Sequence, residues 1–542
     1  MNKGSHISIQ GKKIHPMVFI LALSALVRTL VAGWVELGND EAYYWTYAMF
    51  PDWSHFDHPG MVGWMMQLFS LNLRFDSELF LRLSSVVFMT LNTWIVYCIG
   101  KELRDEALGV RAALLYTASV YAFVITGIFI LPDTPQNLFW LLGFWGMLRY
   151  LKRRSDTALL LAGLAIGLCL LSKYTGAFLW LGFGLYVLLF DRKSLKNPVL
   201  YLSLVLTAAC CFPILYWNVQ NDFVSFRFHG DRVGLFGKLN LNSFATEVAG
   251  EFLYNNPVNY VLAVLAVIAA FRKKLTIEIE AQRLILFTAL PMIGLFLFFS
   301  LTRSTLPHWS GPAFNLLVFL SAGWLEEKKK KNIAVTAALT VLFLILSIGI
   351  AEIKTGFLPL DRHTEARAIG KDDFSLDLYG WRQAGEKFAA LRAQKIAEGE
   401  MHEDDAIIGN NWFPTASIDY YLARPLQMRV LGYGTLERMH KYLWINDQRG
   451  GFEIGSDYWY IADSHFFIDP EQVYAYTNFK HIELVGVIPI ERHDKVVRNL
   501  FVYECKGLVY PPPTLSEQIE HQHRTSKRSK TNTSITDQSW KN

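Results

Sequence analysis

The chain has 542 residues, of which 52% are hydrophobic and only 18% are charged, and its formal net charge is +4. This composition excludes an ordinary soluble enzyme and predicts an α-helical polytopic membrane protein. The basic residues occur in short loops rather than in one block, so we expect no nucleic-acid partner. The five cysteines show neither a disulfide framework nor a metal-binding spacing, and we interpret them as small buried side chains.

Long apolar segments occupy most of the first 351 residues. The first follows Lys3, Lys12 and Lys13, and its length predicts a retained signal anchor rather than a cleaved peptide. Hydropathy predicts about eleven spans in total. They lie near 15–35, 79–99, 109–130, 135–151, 157–172, 174–190, 198–216, 257–271, 283–300, 309–325 and 332–351.

Lysine and arginine are concentrated in every second loop. These basic loops lie at 101–111, 152–154, 192–196, 272–283 and 328–331. The positive-inside rule places them and the N-terminus in the cytoplasm. The other loops, and everything after residue 351, are then extracytoplasmic. We expect a multi-pass protein of the plasma (inner) membrane with its active site on the outer face.

The sequence changes character after residue 351. Short apolar β-like runs alternate with polar helical stretches such as 380–394, which predicts a small extracytoplasmic α/β domain over 352–510. The runs are 406–409, 427–432, 458–462, 483–490 and 500–504. Residues 511–542 begin with three prolines and are polar, which predicts a disordered tail. The transmembrane domain is then 1–351.

The first outer loop, Gly38 to Gly60, carries acids, histidines and aromatic residues without a lysine or arginine. Its neighbouring acids Asp40 and Glu41 would diverge by about 100° on a helix. We therefore expect one to act on the acceptor while the other orients the loop. Shielding by aromatic neighbours such as Tyr44 should raise the pKa of a carboxylate, which suits a general base.

Structural alternatives exist for the same loop. Asn39 or Asp40 could cap a short interfacial helix whose aromatic residues form a membrane belt. Arg28 and Arg82, in or near the first two spans, are candidate structural partners of a loop acid. The segment His55–His58 contains ligands suited to zinc or manganese. We favour a turn there, in which Asp57 and His58 lead into Pro59-Gly60.

Scattered charged residues share the predicted outer face. Asp133 either caps a helix or borders a sugar pocket, and the two roles are compatible. Lys173 interrupts a long apolar stretch, where it could snorkel or hold a lipid phosphate, and we favour the phosphate. Arg303 and His308 share a loop between spans, and Arg227 lies in a longer outer loop that could anchor at the interface. Such charges suit a lipid phosphate and a hydroxyl acceptor.

Several short motifs occur in order along the first 310 residues. They are Asp40–Trp45, Phe56–Pro59, Pro132–Pro135, Leu171–Gly176, Trp217-Asn218 and His308-Trp309. Together they resemble glycosyltransferase family 39, the bacterial protein-mannosyltransferase-like group, which is related to the lipid A aminoarabinose transferases. The sequence departs from many relatives at Gly60, where they have a second proline, and we expect a looser turn there.

The resemblance implies a GT-C fold, a polyprenyl-phosphate-linked sugar donor and an inverting transfer on the non-cytoplasmic side. Asp40 matches the family's catalytic acid, proposed to deprotonate the acceptor, and Glu41 matches its neighbour. Asp133 and Lys173 match positions associated with the sugar and the lipid phosphate. Relatives generally work without an obligatory metal, so no obligatory cofactor is expected.

Our hypothesis is a hexosyl or pentosyl transferase acting on a hydroxyl of a lipid, glycan or protein, with Asp40 as catalytic base. Lys173, with Arg303 or Arg227, would stabilise the departing phosphate. The expected substrate-binding residues are Glu41, Tyr44, Asp57, His58, Asp133, Lys173, Arg227, Arg303 and His308. The alternative is a transporter or flippase for a sugar-phosphate lipid, which would use the same charges as a substrate path. A scaffold protein is the third class.

Overall fold

The computed structural model describes residues 7–9, 12–232, 238–326, 328, 331–470 and 478–520. The chain divides into two compact units. The first comprises the residues up to Trp217 together with Phe228–Ile353, and the second comprises Asn218–Arg227 and the residues from Lys354 onward. The short segment Asn218–Arg227 therefore groups with the C-terminal residues.

Helices dominate the chain up to residue 355, after a two-stranded antiparallel hairpin of β1 (Ile7–Ile9) and β2 (Lys12–Ile14). The helices are α1 (Pro16–Trp34), α2 (Asn39–Met49), α3 (Met61–Phe69), α4 (Glu78–Leu81), α5 (Leu83–Leu103), α6 (Glu106–Ala118), α7 (Asp133–Arg153), α8 (Asp156–Ser172), α9 (Ala177–Phe190), α10 (Pro198–Cys210), α11 (Phe212–Gln220), α12 (Val224–Arg232), α13 (Leu241–Tyr254), α14 (Pro257–Phe271), α15 (Ile279–Ser300), α16 (Gly311–Glu326) and α17 (Lys331–Thr355). Short 3₁₀ turns occur at 174–176, 192–196 and 307–310, and a π turn at 121–125.

Each predicted apolar segment contains a helix. Within the described residues, α1, α5, α15 and α17 are individually long and apolar enough to cross a membrane. Two bent pairs, α10–α11 with a 41° bend and α13–α14 with a 102° bend, raise the number of candidate spans to six. This finding confirms the helical membrane class, and it does not confirm eleven crossings.

Small residues allow the helices of the first unit to pack closely. A methyl group at Gly109 on α6 would lie 2.5 Å from the carbonyl oxygen of Tyr97 on α5, and one at Gly146 on α7 would lie 2.7 Å from the carbonyl oxygen of Ala158 on α8. Only glycine permits such approach of two backbones. Because α7 packs closely on α8, its first residue, Asp133, has a defined position.

The second unit contains a five-stranded mixed sheet with helices. Its strands are β3 (Ala406–Gly409), β4 (Val430–Gly432), β5 (Tyr458–Asp463), β6 (Phe479–Arg492) and β7 (Lys495–Leu508), in the order β4-β3-β5-β7-β6. The strand β3 is parallel to both neighbours, whereas β5, β7 and β6 are antiparallel. The helices are α18 (Trp381–Ala397), α19 (Trp412–Ile418), α20 (Leu436–Met439) and α21 (Tyr442–Gln448). Each predicted β run overlaps a strand, so the small α/β class is confirmed.

The predicted disordered tail needs a partial correction. Residues 515–520 are helical. The backbone N–H of Thr514 donates to the Glu517 carboxylate at 2.8 Å, and the Glu517 N–H donates to the Thr514 hydroxyl oxygen at 3.4 Å, which is the reciprocal cap that starts a helix. Residues 521–542 lie outside the described residues.

Candidate active site

The segment Gly38 to Gly60 begins with α2, in which its two adjacent acids have different surroundings. Glu41 is 2% exposed, and its carboxylate accepts the backbone N–H of Gly38 at 2.9 Å, which caps the helix. The N-cap residue is therefore Gly38, with the Glu41 side chain as its partner, rather than Asn39 or Asp40. Asp40, in the first turn, is exposed, although the aromatic residues after it are buried. The expected shielding of Asp40 is absent, because Tyr43, Tyr44 and Trp45 pack into the core instead.

Glu41 forms a closed network with Arg82, whose side chain is fully buried. Arg82 Nε donates to Glu41 Oε1 at 2.7 Å, and Nη2 donates to Oε2 at 2.5 Å. The backbone N–H of Ile130 also donates to Oε1, at 3.0 Å. Together with the bond from Gly38, these fill the roughly four acceptor positions of a carboxylate. These contacts hold the Glu41 carboxylate inside the protein, so substrate binding by Glu41 stays a prediction, and Arg82 is the arginine partner that was expected for a loop acid.

Asp57 is held by two tyrosines of α2. The hydroxyls of Tyr43 and Tyr47 donate to its Oδ1 at 2.8 Å and 2.5 Å. The Nε2–H of His229 donates to its backbone carbonyl at 2.9 Å. Because Tyr43 and Tyr47 are one helical turn apart, they face the same way and fix the loop against α2. Asp57 thus anchors the loop, which is a structural task beyond the predicted contact with substrate.

The segment His55–His58 is a turn, as predicted. The backbone N–H of His55 donates to the carbonyl of His58 at 3.1 Å, and Ser54 and Pro59 form an isolated bridge. Gly60 makes this turn tight, contrary to expectation, because a methyl group there would lie 3.0 Å from both the Asp52 carbonyl oxygen and the Trp64 ring.

Two groups among the described residues bring three metal-ligating side chains within reach of one ion. They are Asp361–His363–Asp372 and His481–Glu483–Glu504, both in the second unit. In that same described part of the chain, the His55–His58 turn contributes to neither group. The metal interpretation of the turn therefore gains no geometric support.

Asp133 and Lys173 form a buried ion pair. Lys173 Nζ lies 2.8 Å from Asp133 Oδ2, and the two side chains are 9% and 3% exposed. The Tyr121 hydroxyl donates to Asp133 Oδ1 at 3.2 Å, and Lys173 Nζ lies 5.9 Å from the centre of the Trp309 ring. Asp133 is the first residue of α7 rather than its cap. A lysine held in this way does not snorkel to the surface, because its charge is fixed inside the unit.

Two histidines lie within electrostatic range of this pair. Burial lowers the pKa of His58 to about 4, with nearby Lys173 adding to the effect and Asp57 and Asp133 opposing it. Burial likewise lowers the pKa of His308 to about 4, against the opposing charge of Asp133. Both imidazoles are therefore neutral at pH 7. They can donate or accept a hydrogen bond without adding charge.

Tyr44 connects Asp40 to this network. Burial raises the pKa of the Tyr44 hydroxyl well above 10, and the negative charges of Asp40, Asp57 and Asp133 raise it further. Its ring packs against His58 with the two centroids 5.9 Å apart. The phenol remains protonated and can donate a hydrogen bond. The structure thus brings together Asp40, Tyr44, Asp57, His58, Asp133, Lys173 and His308.

The two arginines predicted to bind substrate, Arg303 and Arg227, are not among these residues. Arg303 lies 4.2 Å from the centre of the Phe299 ring, and its Nη2 is buried without a hydrogen-bond partner among the described residues. It is thus a second cation near the end of α15. Arg227 belongs to the second unit, where its guanidinium donates to the backbone carbonyl of Asp222.

Several residues that the sequence did not single out as site residues pack against the predicted ones and hold them in place. Tyr43, Tyr47, Tyr121 and Trp309 contact Asp57, Asp133 or Lys173 directly. A signal existed for the first two, since residues four apart on a predicted helix share a face. No local pattern could predict the bond from His229 to the Asp57 carbonyl, because the two residues are 172 positions apart.

Known proteins resemble this chain in sequence and in fold. Residues 57–217 match the family model described as dolichyl-phosphate-mannose-protein mannosyltransferase. The predicted family resemblance is confirmed. The lipid A galacturonosyltransferase RgtD of Rhizobium johnstonii is 20% identical over 297 residues, which are 54% of this chain and 62% of that relative. The match therefore spans less than two thirds of that protein's length.

Solved structures agree on the fold. ArnT from Cupriavidus metallidurans, bound to undecaprenyl phosphate, superposes with a TM-score of 0.62 at 15% identity, covering 90% of this chain and 97% of that one. The apo state of the same protein gives a TM-score of 0.61 at 16% identity with the same coverage. At this identity the likeness establishes the GT-C fold alone, and that part of the fold prediction is confirmed.

Proposed function

We propose that this chain transfers a sugar from a polyprenyl-phosphate donor to an acceptor hydroxyl, with inversion, at the outer face of the inner membrane. The observation that carries the proposal is an exposed acid, Asp40, beside a buried network that presents one ammonium group, Lys173. The confirmed family resemblance and the GT-C fold support the reaction class. The proposal includes about eleven spans, with the N-terminus in the cytoplasm.

Lys173 is suited to hold the lipid phosphate. Its ammonium carries three N–H donors, and among the described residues one of them is used, by Asp133. The ion pair orients the ammonium, while the remaining donors are available to phosphate oxygens. Arg303 supplies a second positive charge near the end of α15.

Asp40 is suited to act as base on the acceptor. The acceptor oxygen attacks the anomeric carbon while its proton passes to the Asp40 carboxylate. The bond between the anomeric carbon and the phosphate oxygen breaks, and the lipid phosphate leaves with the bonding electrons. Lys173 stabilises the charge that develops on this leaving group. Exposure of Asp40 leaves room for the acceptor, whereas Glu41 is occupied by Arg82.

The sugar lies, in this proposal, between Asp40 and Lys173. Tyr44 and neutral His58 and His308 are the uncharged donors and acceptors beside that path. Neutral groups suit sugar hydroxyls, because they bind without pairing permanently with the phosphate or the base. The sugar is a hexose or pentose derivative, and the acceptor is a lipid, glycan or protein hydroxyl.

The test is transfer by the purified protein in proteoliposomes, with release of free polyprenyl phosphate as the readout. Asp40→Asn should lower turnover about 100-fold or more, because it removes the base. The matched control is Asp156→Asn, since Asp156 is also an exposed acid in the first turn of a helix. Wild-type turnover of Asp40→Asn would refute the assignment. Movement of intact donor across the bilayer without release would instead establish the flippase.

A further inference from the structure

The segment 301–310, which carries His308 and Trp309, is held along its length by one face of α13. We call it the His308 segment. The four hydrogen bonds run in order along both elements, and an aromatic contact between Tyr254 and His308 follows them. They are Asn240 N–H to Leu301 carbonyl at 2.7 Å, Ser243 to Ser304 hydroxyl at 3.5 Å, Thr305 hydroxyl to Glu247 Oε2 at 2.7 Å, Ser310 hydroxyl to Glu251 Oε1 at 2.7 Å, and Tyr254 to His308 with ring centres 6.1 Å apart.

The two central contacts are made by buried acids. Glu247 is 1% exposed and Glu251 is 0% exposed. Within the described part of the chain, neither carboxyl has a basic partner, and each accepts one hydroxyl. Burying a carboxyl without a counter-charge is costly, and a leucine would fill the same space at no such cost. The hydrogen bonds to Thr305 and Ser310 are therefore the specific contribution of these acids.

A glycine lets the helix touch the segment between the two acids. A methyl group at Gly250 would lie 2.1 Å from Pro307 Cγ, so any larger residue would push the segment away. Close contact at Pro307 and hydrogen bonds on either side of it fix both ends of the turn that carries His308. The contacts with α13 thus add to the turn's own 3₁₀ hydrogen bond, from the Trp309 N–H to the Leu306 carbonyl at 2.9 Å.

The His308 segment in turn contacts the proposed phosphate site. The Trp309 ring lies 5.9 Å from Lys173 Nζ, and His308 lies within electrostatic range of Asp133 and Lys173. We propose that Glu247 and Glu251 are positioning residues that hold His308 and Trp309 against Lys173 and thereby set the affinity for the lipid-phosphate donor. The contacts between α13 and the His308 segment, which we call the clamp, rest on geometry alone. The link to the lipid donor rests on the proposed function.

Two measurements test it on the full-length protein. Hydrogen exchange followed by mass spectrometry reports the order of the His308 segment and needs no activity. Steady-state transfer separates the KM for the lipid donor from kcat. The variants are Glu247→Leu, Glu251→Leu, Glu251→Gln and Ser310→Ala. The control is Tyr150→Phe, which removes a buried 3.0 Å hydrogen bond to Ser194 about 26 Å along α7 from Asp133.

The leucine variants should exchange faster over 301–310 and raise the donor KM about 2- to 10-fold each, the range expected for one lost hydrogen bond, with kcat little changed. Glu251→Gln should behave as wild type, because its amide oxygen still accepts from Ser310. Ser310→Ala should reproduce Glu251→Leu, and the double variant should be no worse than either single one. Tyr150→Phe should change neither the hydrogen exchange over 301–310 nor the KM for the lipid donor.

The outcomes separate the clamp from the reaction. Wild-type exchange and wild-type KM in both Glu251→Leu and Ser310→Ala would overturn the inference. Faster exchange with an unchanged KM would overturn the link to donor binding. A wild-type protein that transfers no sugar, combined with faster exchange in the variants, would refute the proposed function while leaving the clamp intact. A fall in kcat without a change in KM would indicate a smaller folded fraction and would also overturn the positioning role.

Discussion

Removal of Glu41 should be among the most destabilising single changes in the first unit. Arg82 uses all five of its N–H donors in this network: two to Glu41, and three to the backbone carbonyls of Ala32, Val35 and Glu36 at 2.7–2.9 Å. The pair therefore ties the end of α1 to the starts of α2 and α5. Glu41→Leu leaves the buried guanidinium without its counter-charge.

The size of the effect follows from the contacts that are lost. Breaking a buried ion pair by removing one partner costs about 3–5 kcal/mol. The backbone N–H groups of Gly38 and Ile130 lose their acceptor as well, at about 1–3 kcal/mol each when left unsatisfied. We therefore expect a loss of at least about 5 kcal/mol for Glu41→Leu. Glu41→Gln should lose less, since one oxygen still accepts.

Thermal unfolding of the purified protein in detergent measures this loss, with a thiol-reactive fluorophore reporting exposure of buried cysteines such as Cys169. The control is Glu106→Gln, whose carboxyl pairs with His15 but is 40% exposed, so its loss should cost at most about 1 kcal/mol. A double variant, Glu41→Leu with Arg82→Leu, should recover only partly, because three backbone carbonyls then lose their donors. Equal midpoints for Glu41→Leu and the control would refute this account of the network.

Two further predictions concern packing and pH. Gly63→Ala should destabilise the first unit, because its methyl group would lie 2.8 Å from the Tyr47 carbonyl carbon. The control is Gly184→Ala, where nothing lies within 4 Å of the added methyl group. This variant should be neutral or mildly stabilising in the same unfolding assay. Stability should fall on acidification from pH 6.5 to 4, because the pKa values of His58 and His308 are lowered to about 4 and the unfolded chain therefore binds more protons in this window. The double variant His58→Gln with His308→Gln should have a flatter pH profile over that range, and an unchanged slope would contradict the assignment.

Local patterns predicted much of the architecture. Each predicted apolar segment contains a helix, and the run predicted at 406–409 is strand β3 to the residue. Those signals are local, since hydropathy and alternation are properties of neighbouring residues. The same holds for the turn at His55–His58. The number of membrane crossings is a different kind of question, because it depends on how each helix is placed in a bilayer rather than on its sequence pattern.

The site was predictable only in part, for a physical reason. Residues of opposite charge on one face suggested a phosphate site, and the pair of Asp133 with Lys173 fits that expectation. Contacts that join distant segments left no local signal. Thr305 and Glu247 are 58 positions apart, and Asp57 and His229 are 172 apart. Such contacts depend on how helices pack, which a single sequence does not encode in any short window.

The roles of Asp40 and Glu41 show how tertiary contacts resolve what periodicity leaves open. A 100° step between neighbours on α2 implies that one acid can face the core when the other faces solvent, but it does not say which. Arg82 decides the matter, because its buried guanidinium needs a carboxylate and takes Glu41. Asp40 is then left exposed beside Tyr44. The buried acid fixes the first turn of α2, so the backbone that carries Asp40 has a defined position, as the proposed general base requires.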